Sequence, residues 1–276
     1  MGLSEECTVW ESRVASAIGS PATLAVAFSG GVDSSVLLAV ALRHLGTDRV
    51  IAVLGVSESL GVDEHDSALQ IASDLGAQVV ELPTREMEDP SYRANGPDRC
   101  FHCKTTLFSQ ISDELVASYG IDAVAYGENA DDALRPDRPG SQAAANYHVL
   151  RPLAEAGLTK AMVRRLAREL GLSVADKPAA PCLASRIPHF EEVTPEKLSQ
   201  IDAAESGIRA LGFSDVRVRH HGDIARIEIP VDELPHAVEV RSRLVSAIRR
   251  AGFRYATLDL AGIQSGAFTL AAVSHE

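Results

Sequence analysis

No apolar run in the sequence approaches the roughly 20 residues that a helix needs to cross a bilayer, which argues against a membrane-spanning chain. There is no basic excess either. Lysines and arginines number 26 against 38 aspartates and glutamates, a formal net charge of −12. Holding nucleic acid through a broad basic surface needs the opposite balance, so the charge speaks against a nucleic-acid partner. The opening MGLSEECTVWESRV has acidic residues and no apolar signal core. Its MGLS start matches a myristoylation pattern only weakly, with nothing else pointing to a membrane surface. The expectation is a cytoplasmic protein. Cysteine is scarce, four in 276 residues. In a large cytoplasmic chain these do not read as a disulfide framework. The sequence also lacks the phosphate-loop pattern GxxxxGK[ST], internal repeats and low-complexity tracts. What remains is a composition ordinary for a globular protein, 46% hydrophobic and 23% charged, long enough for one large domain or two modest ones.

The most informative stretch is AVAFSGGVDSSVLLAV, Ala25 to Val40. A run of small and β-branched residues passes through Ser29, Gly30, Gly31, Val32, Asp33, Ser34 and Ser35 into an apolar run of helical spacing. That reads as strand, glycine turn and helix N-terminus. Two consecutive glycines allow positive φ and leave room for a ligand against the main chain. The first free N–H groups of the helix, with the hydroxyls of Ser29, Ser34 and Ser35, then face an anion. A bare SGG is also an ordinary capping turn. The whole string SGGVDSS directly after a strand is more specific.

Periodicity organises the rest. Residues 1–20 read as an amphipathic helix with Val9, Trp10, Val14, Ala17 and Ile18 on its apolar side. Strands are expected at 24–28, 49–57, 77–82 and 121–127, and helices at 34–45 and 62–75, the latter closed by Gly76. Alternating strands and helices predict an α/β fold with a parallel sheet. Residues 83–99 read as a loop, followed by RCFHCKTTLFSQI and a helix to about Ala117. The loop GENADDALRPDRPG, Gly127 to Gly140, leaves a strand at its carboxyl end, where open α/β sheets bind ligands. It brings Glu128, Asn129, Asp131 and Asp132 to a place where ATP and Mg²⁺ could be met; taken alone, it would read as a solvated acidic turn. A helix follows at 158–172, capped by Thr159. From about residue 191 the pattern changes to a Thr-Pro-capped helix, an antiparallel hairpin (DVRVRHHG and DIARIEIP), a helical stretch at 232–250 and a strand in FRYATLDLAG. The expectation is a domain over 1–190 and a smaller α/β domain over 191–276.

Cys100 and Cys103 form a CxxC within RCFHCK, Cys182 sits in PCLASR, and Cys7 has no partner pattern and reads as incidental. A CxxC admits several readings: two unremarkable thiols, a redox dithiol, half of a zinc site, or part of an iron–sulfur site. No second CxxC is present to close a zinc site, although His102 or His189 could serve. Three thiolates that leave one iron open suit a [4Fe–4S] cluster with room for an extra ligand. Cys182 stands among cationic neighbours in sequence, Lys177 and Arg186, which favour a thiolate. It also reads simply as a buried small residue.

SGGVDSS resembles the pyrophosphate loop of the PP-loop ATP pyrophosphatases, which split ATP to AMP and pyrophosphate. In order along the chain, SGGVDSS, RCFHCKTTLF, GENADD, GLTKAMVRRLARELGL, DKPAAPCLASRIP, RVRHHGDIARIEI and FRYATLDLAG resemble the LarE-type ATP-dependent sulfurtransferases. The resemblance spans nearly the whole chain. It implies that a pyridinium-3,5-biscarboxylic acid mononucleotide is activated as an acyl-adenylate and given sulfur, on the way to the nickel-pincer nucleotide of lactate racemase. ATP would then lie on Ser29, Gly30, Gly31, Asp33, Ser34 and Ser35, with Gly127, Asn129 and Asp132 completing its site and Asp33 near Mg²⁺. Cys100, Cys103 and Cys182 would hold a [4Fe–4S] cluster; the alternative is Cys182 as a sacrificial sulfur donor. Arg186, Arg217 and Arg219 would hold the substrate phosphate, with Glu205 a further site residue; Arg217 and Arg219 fit an exposed strand face equally well. Also implied are a homo-oligomer, a sulfide donor and a nickel-inserting partner. Two departures stand out. Glu128 replaces the threonine of a GTNADD-like loop, and SRIPHF replaces the more usual SRxPYG.

Two other classes compete. An amidating PP-loop synthetase, of the NAD or GMP synthetase kind, uses ammonia and needs no cysteine trio. A non-catalytic metal-binding or iron–sulfur storage protein would keep the fold and form no AMP.

Overall fold

The computed structural model describes residues 2–134 and 139–263. The chain divides into two compact units. The first takes residues up to 57, 64–86 and 100–180; the second takes 58–63, 87–99 and the chain from 181 onward.

Helix α1 (Glu5–Ile18) opens the first unit. The Ser4 side chain caps it by accepting the Cys7 amide, and Cys7, Trp10, Val14 and Ile18 form its buried stripe at helical spacing. Val9, expected on that stripe, is exposed. Cys7 lies one turn before Trp10 and takes the buried face, so it is a core residue within a segment that reads as polar.

Strands β1 (Leu24–Phe28), β2 (Val50–Val56), β3 (Gln78–Pro83) and β4 (Ala123–Tyr126) form one parallel sheet in the order β3-β2-β1-β4. Helices α2 (Val32–Leu45) and α3 (Val62–Asp74) are the crossovers between β1, β2 and β3. β1 and β2 are apolar at nearly every position because both faces of the sheet are covered. Ala25, Ala27, Ile51 and Val53 share one face with Phe108, Ile111 and Leu115. Leu24, Val26 and Phe28 alternate with them and are equally buried.

The helix expected from the cysteine motif to Ala117 is interrupted. Helix α4 (Arg99–Gln110) passes into a π-turn at Ile111–Leu115 before a last turn, Val116–Tyr119, that ends at left-handed Gly120. The wider π-turn keeps Ile111 and Leu115 both in the core under the sheet. Helix α5 (Lys160–Glu169) starts from the Thr159 cap, with Val163 and Leu166 buried.

In the second unit, helix α6 (Pro195–Arg209) starts from the Thr194 cap with proline in its first turn. Strands β5 (Arg217–His221) and β6 (Ile224–Glu228) form the antiparallel hairpin read from alternation. After helix α7 (Arg241–Arg250), β7 (Tyr255–Leu258) returns parallel to β6. Ile208, Phe213, Val218, Ile227, Leu244 and Phe253 share the core. The single helix expected over 232–250 is two, Leu234–Glu239 and α7. Val240, packed on that core, leaves helical geometry at ψ 16° between them.

Candidate active site

The chain runs outward from β1 through β2 to β3 and then returns to the other side of β1 as β4. The carboxyl ends of β1 and β4 therefore flank the topological switch point, where open α/β sheets bind ligands. Ser29–Gly31 leaves β1 there, and Gly127–Asp132 leaves β4.

Both loops depend on glycine for close approach. Gly30 has φ 68°, and a Cβ on it would lie 2.8 Å from Cβ of Ala68 in α3. A Cβ on Gly127 would lie 2.7 Å from the Ser34 nitrogen and 2.8 Å from the Asp33 carbonyl carbon. Gly31, expected to share the left-handed conformation, is extended at φ −78° and ψ 161° and caps α2, which starts at Val32 rather than Ser34.

The loop hydroxyls shape the turn. Ser34 Oγ donates to the Gly31 carbonyl at 3.1 Å, accepts the Ser29 amide at 3.3 Å and lies 3.2 Å from Ser29 Oγ. Ser35 is fully buried. Asp33, in the first turn of α2, pairs with the Lys160 ammonium and accepts Asn129 Nδ2 at 3.3 Å. Asn129 is buried and caps the turn Ala130–Ala133. It accepts the Asp132 amide at 3.1 Å and donates to the Asp132 carboxylate at 2.9 Å. The Lys160 amide donates to Asp131 at 2.8 Å. Asp33, Asn129, Asp132 and Lys160 thus form one polar group at the strand ends. Lys160 carried no signal in the sequence, where it follows the Thr159 cap. Residues 135–138 of the Gly127–Gly140 loop lie outside the described residues.

Glu128 does not sit in a solvated turn. It is buried, accepts a hydrogen bond from the Ser141 hydroxyl and lies 3.5 Å from the Arg151 guanidinium. Burial, with the Glu128 charge behind it, pushes the Tyr126 phenol well above its usual range. The Lys104 ammonium, from RCFHCK, stands 4.2 Å over the Tyr126 ring. Two sequence motifs therefore meet at one tyrosine.

None of the four cysteines is in a disulfide; Cys100 and Cys182 are exposed, Cys103 is partly so, and Cys7 is buried. Cys100 and Cys103 lie three residues apart on α4, hence on one side of the helix. They belong to the first unit and Cys182 to the second. Among the described residues, no group of three or more His, Cys, Asp and Glu side chains stands assembled as a metal site. Lys177, expected to serve Cys182, directs its ammonium to Glu64 at 2.7 Å and Ser67 at 3.2 Å.

In the second unit the arginines are buried, not on an exposed strand face. Arg186 makes a bidentate pair with Glu205 at 2.9 and 3.2 Å, and its remaining nitrogen donates to the Pro181 carbonyl at 2.6 Å. Glu205 also accepts the Val218 amide and Arg209. Arg219 pairs in the same way with Glu228, at 3.0 and 2.9 Å, and donates to the Ser185 carbonyl at 3.0 Å. Arg217 lies two residues before Arg219, on the same face of β5; burial, and behind it the charges of Arg186 and Arg219, lower its affinity for its proton. Arg186 and Arg219 thus hold the main chain of the segment carrying Cys182, and Arg217 is near enough to feel both of their charges. Glu228, which holds Arg219, was not expected from the sequence.

No protein-family model matches the chain. It is 42% identical over 243 residues to an uncharacterised protein of Synechocystis sp., covering 87% of this chain and 90% of that one. It is 39% identical over 241 residues to the pyridinium-3,5-bisthiocarboxylic acid mononucleotide synthase of Lactiplantibacillus plantarum, covering 87% of each. A more distant relative is the tRNA-specific 2-thiouridylase MnmA of Methylobacterium nodulans, 33% identical over 197 residues, covering 55% of this chain and 49% of that one. With its parallel sheet and glycine loop at the switch point, the chain belongs to the family of the pyridinium-3,5-bisthiocarboxylic acid mononucleotide synthases, within the PP-loop ATP pyrophosphatases.

Proposed function

We propose that this enzyme uses ATP to replace carboxylate oxygen by sulfur in pyridinium-3,5-biscarboxylic acid mononucleotide, supplying the thiocarboxylates of the lactate racemase cofactor. The observation that carries this reading is the glycine loop, closed by Gly30 and Gly127 onto the N-terminus of α2, in a chain of this family. Amide groups there meet an anion without a phosphate lysine of the GxxxxGK[ST] kind. A substrate carboxylate oxygen attacks the α-phosphorus, the bond to the β-phosphate oxygen breaks, and pyrophosphate leaves. The helix N-terminus and Lys160 offset the charge of the departing group. Asp33 and Asp132, bridged by Asn129, offer the hard oxygen donors that Mg²⁺ takes. A sulfur nucleophile then attacks the acyl carbon, and AMP leaves with the acyl oxygen.

Cys100, Cys103 and Cys182 would hold a [4Fe–4S] cluster. Two thiols on one side of α4 and none of the three in a disulfide fit that ligand set. Bound, the cluster would supply a sulfide at an open iron. The exposed thiol of Cys182 supports a second reading, in which its own sulfur is transferred and dehydroalanine remains. Arg217, beside Arg186 and Arg219, would meet the substrate phosphate. Thiols free of disulfides suit a cytoplasmic enzyme. It would act as a homo-oligomer, fed by a sulfide donor and followed by a nickel-inserting enzyme.

The test is anaerobic reconstitution with iron and sulfide, then turnover with ATP, Mg²⁺ and the biscarboxylate mononucleotide. AMP, pyrophosphate and a product with sulfur in place of oxygen are expected. Stoichiometric iron with intact Cys182 supports the cluster, and loss of H₂S from Cys182 supports the sacrificial route. Amide formation from ammonia, unaffected by Cys182→Ala, would overturn sulfur transfer.

A further inference from the structure

The main chain from Pro181 to Pro188 is held by side-chain donors from within the segment and from other parts of the second unit. Arg219 serves the carbonyl of Ser185, and Arg186 reaches back to that of Pro181. The Leu183 amide donates to the Ser59 carbonyl at 2.9 Å, and further support comes from Asn95 and Arg99. Asn95 is fully buried at φ 57°, a left-handed conformation that asparagine tolerates better than most residues. Its Nδ2 donates to the carbonyls of Ile187 at 3.2 Å and Pro188 at 2.7 Å. Its Oδ1 accepts the Arg99 guanidinium, and that same nitrogen donates to the Ala184 carbonyl at 3.0 Å. The Asn95 carbonyl accepts the Phe190 amide at 3.1 Å and lies 3.2 Å from Nδ1 of His189. Both amide hydrogens and the side-chain oxygen of Asn95 are therefore committed to this segment and to Arg99. The Cys182 thiol is exposed at the start of the segment so held.

We infer that Asn95 and Arg99 are positioning residues for Cys182. They touch no reacting atom and act through the main chain that carries the thiol; the inference rests on the sulfur-transfer reading. A nucleophile or cluster ligand on an otherwise irregular, proline-rich segment needs its backbone fixed from outside, because the segment has no sheet or long helix of its own. Arg99 is also the first residue of α4 and directly precedes Cys100 in the chain. Removing either side chain cuts the tethers between this segment and residues 95–99, takes a donor from the Ile187 carbonyl in the case of Asn95, and frees the segment to shift. The ATP loop lies in the other unit and keeps its own supports, so adenylation and sulfur insertion should separate.

The experiment compares full-length Asn95→Ala, Asn95→Ser, Arg99→Gln and Arg99→Lys with the native chain. AMP formation and thiocarboxylate formation are measured separately, and Cys182 alkylation by iodoacetamide is followed by peptide mass spectrometry in the reduced protein. The expected result is a fall of about 10- to 100-fold in kcat for sulfur insertion, the effect of an ångström-scale displacement. AMP formation and KM for ATP should stay within about twofold, with Cys182 alkylation faster by about fivefold. Arg99→Lys, which keeps a cationic donor, should recover much of the loss. Lower thermal stability with native alkylation rate and a native sulfur-to-AMP ratio overturns the inference, as does a parallel fall in both activities. If Asn95→Ala does not fold, Asn95→Ser and Arg99→Gln decide. A native chain that makes no thiocarboxylate would count against the sulfur-transfer reading, while the alkylation rates would still decide the positioning role.

Discussion

Gly127 stands so close to the first turn of α2 that a methyl group on it would lie 2.7 Å from the Ser34 nitrogen. The neighbour is backbone, which cannot swing aside. Gly127→Ala is expected to destabilise the fold by about 1–3 kcal/mol through overpacking. Forcing the two loops apart should also lower ATP-dependent pyrophosphate release by about 100-fold. Gly31→Ala is the comparison: its added Cβ meets only Ser29 Oγ at 3.5 Å and its φ is ordinary, so the melting temperature should barely move. Equal losses of stability in the two variants would refute this account of Gly127.

Glu205 has no solvent exposure and accepts from Arg186, Arg209 and the Val218 amide. Glu205→Gln removes the charge that compensates Arg186 in a buried site. A loss of about 3–5 kcal/mol is expected, read as a shift of the urea midpoint at unchanged slope. A loss below about 1 kcal/mol would mean that the pair is solvated in solution.

His220 is buried, packs at a tilt against the Phe253 ring and lies 3.1 Å from the Gln200 side-chain oxygen. Burial, then the nearby Lys197 charge, pushes its pKa below the ordinary histidine range. The folded state therefore resists a proton that the unfolded chain accepts below about pH 6.5. Its contribution to stability is complete above that pH and is lost as pH falls through the depressed folded value. His221, also pushed down by burial, acts in the same direction. Urea midpoints from pH 7.5 down to 5 should fall more steeply for the native chain than for His220→Gln. Parallel curves would disprove the assignment.

Phe190 holds φ 67°, a conformation that favours glycine, and the residue is 73% exposed. It occupies the place where the more usual SRxPYG has glycine. Relief of left-handed strain is worth about 1–2 kcal/mol, less the extra chain entropy that glycine loses on folding, about 0.5–1 kcal/mol. Phe190→Gly should therefore raise the melting temperature slightly, while Phe190→Val should lower it. A lower melting temperature for Phe190→Gly would show that the ring contributes more than its exposure suggests.

Much of the first unit is legible along the chain. β1 and β2 are continuous apolar runs because both sheet faces are covered, and SGGVDSS marks the turn because the backbone there needs a positive φ at Gly30. The N-caps at Thr159 and Thr194 were readable for the same reason: a cap is a local hydrogen bond made within three residues. Less local features were not readable. The π-turn at Ile111–Leu115 answers to the packing of Ile111 and Leu115 under the sheet, and the break at Val240 to the core beneath it. Neither follows from propensity. Cys7 lies in a segment that reads as polar, yet its position on the turn puts it in the core.

The site divides along the same line. Residue types and their order were sufficient to single out the glycine loop, the CxxC, Cys182 and the arginines of β5 as candidates, since their chemistry is intrinsic and their spacing local. Which charges meet was decided only by the tertiary structure. It turned Lys177 to Glu64 and brought Lys160 to Asp33. It buried Glu128 and set Arg186 and Arg219 against Glu205 and Glu228. It also brought Asn95 and Arg99 to the segment that carries Cys182. Such pairings join residues up to 127 positions apart, and a buried charge is tolerated only where the whole fold delivers its partner.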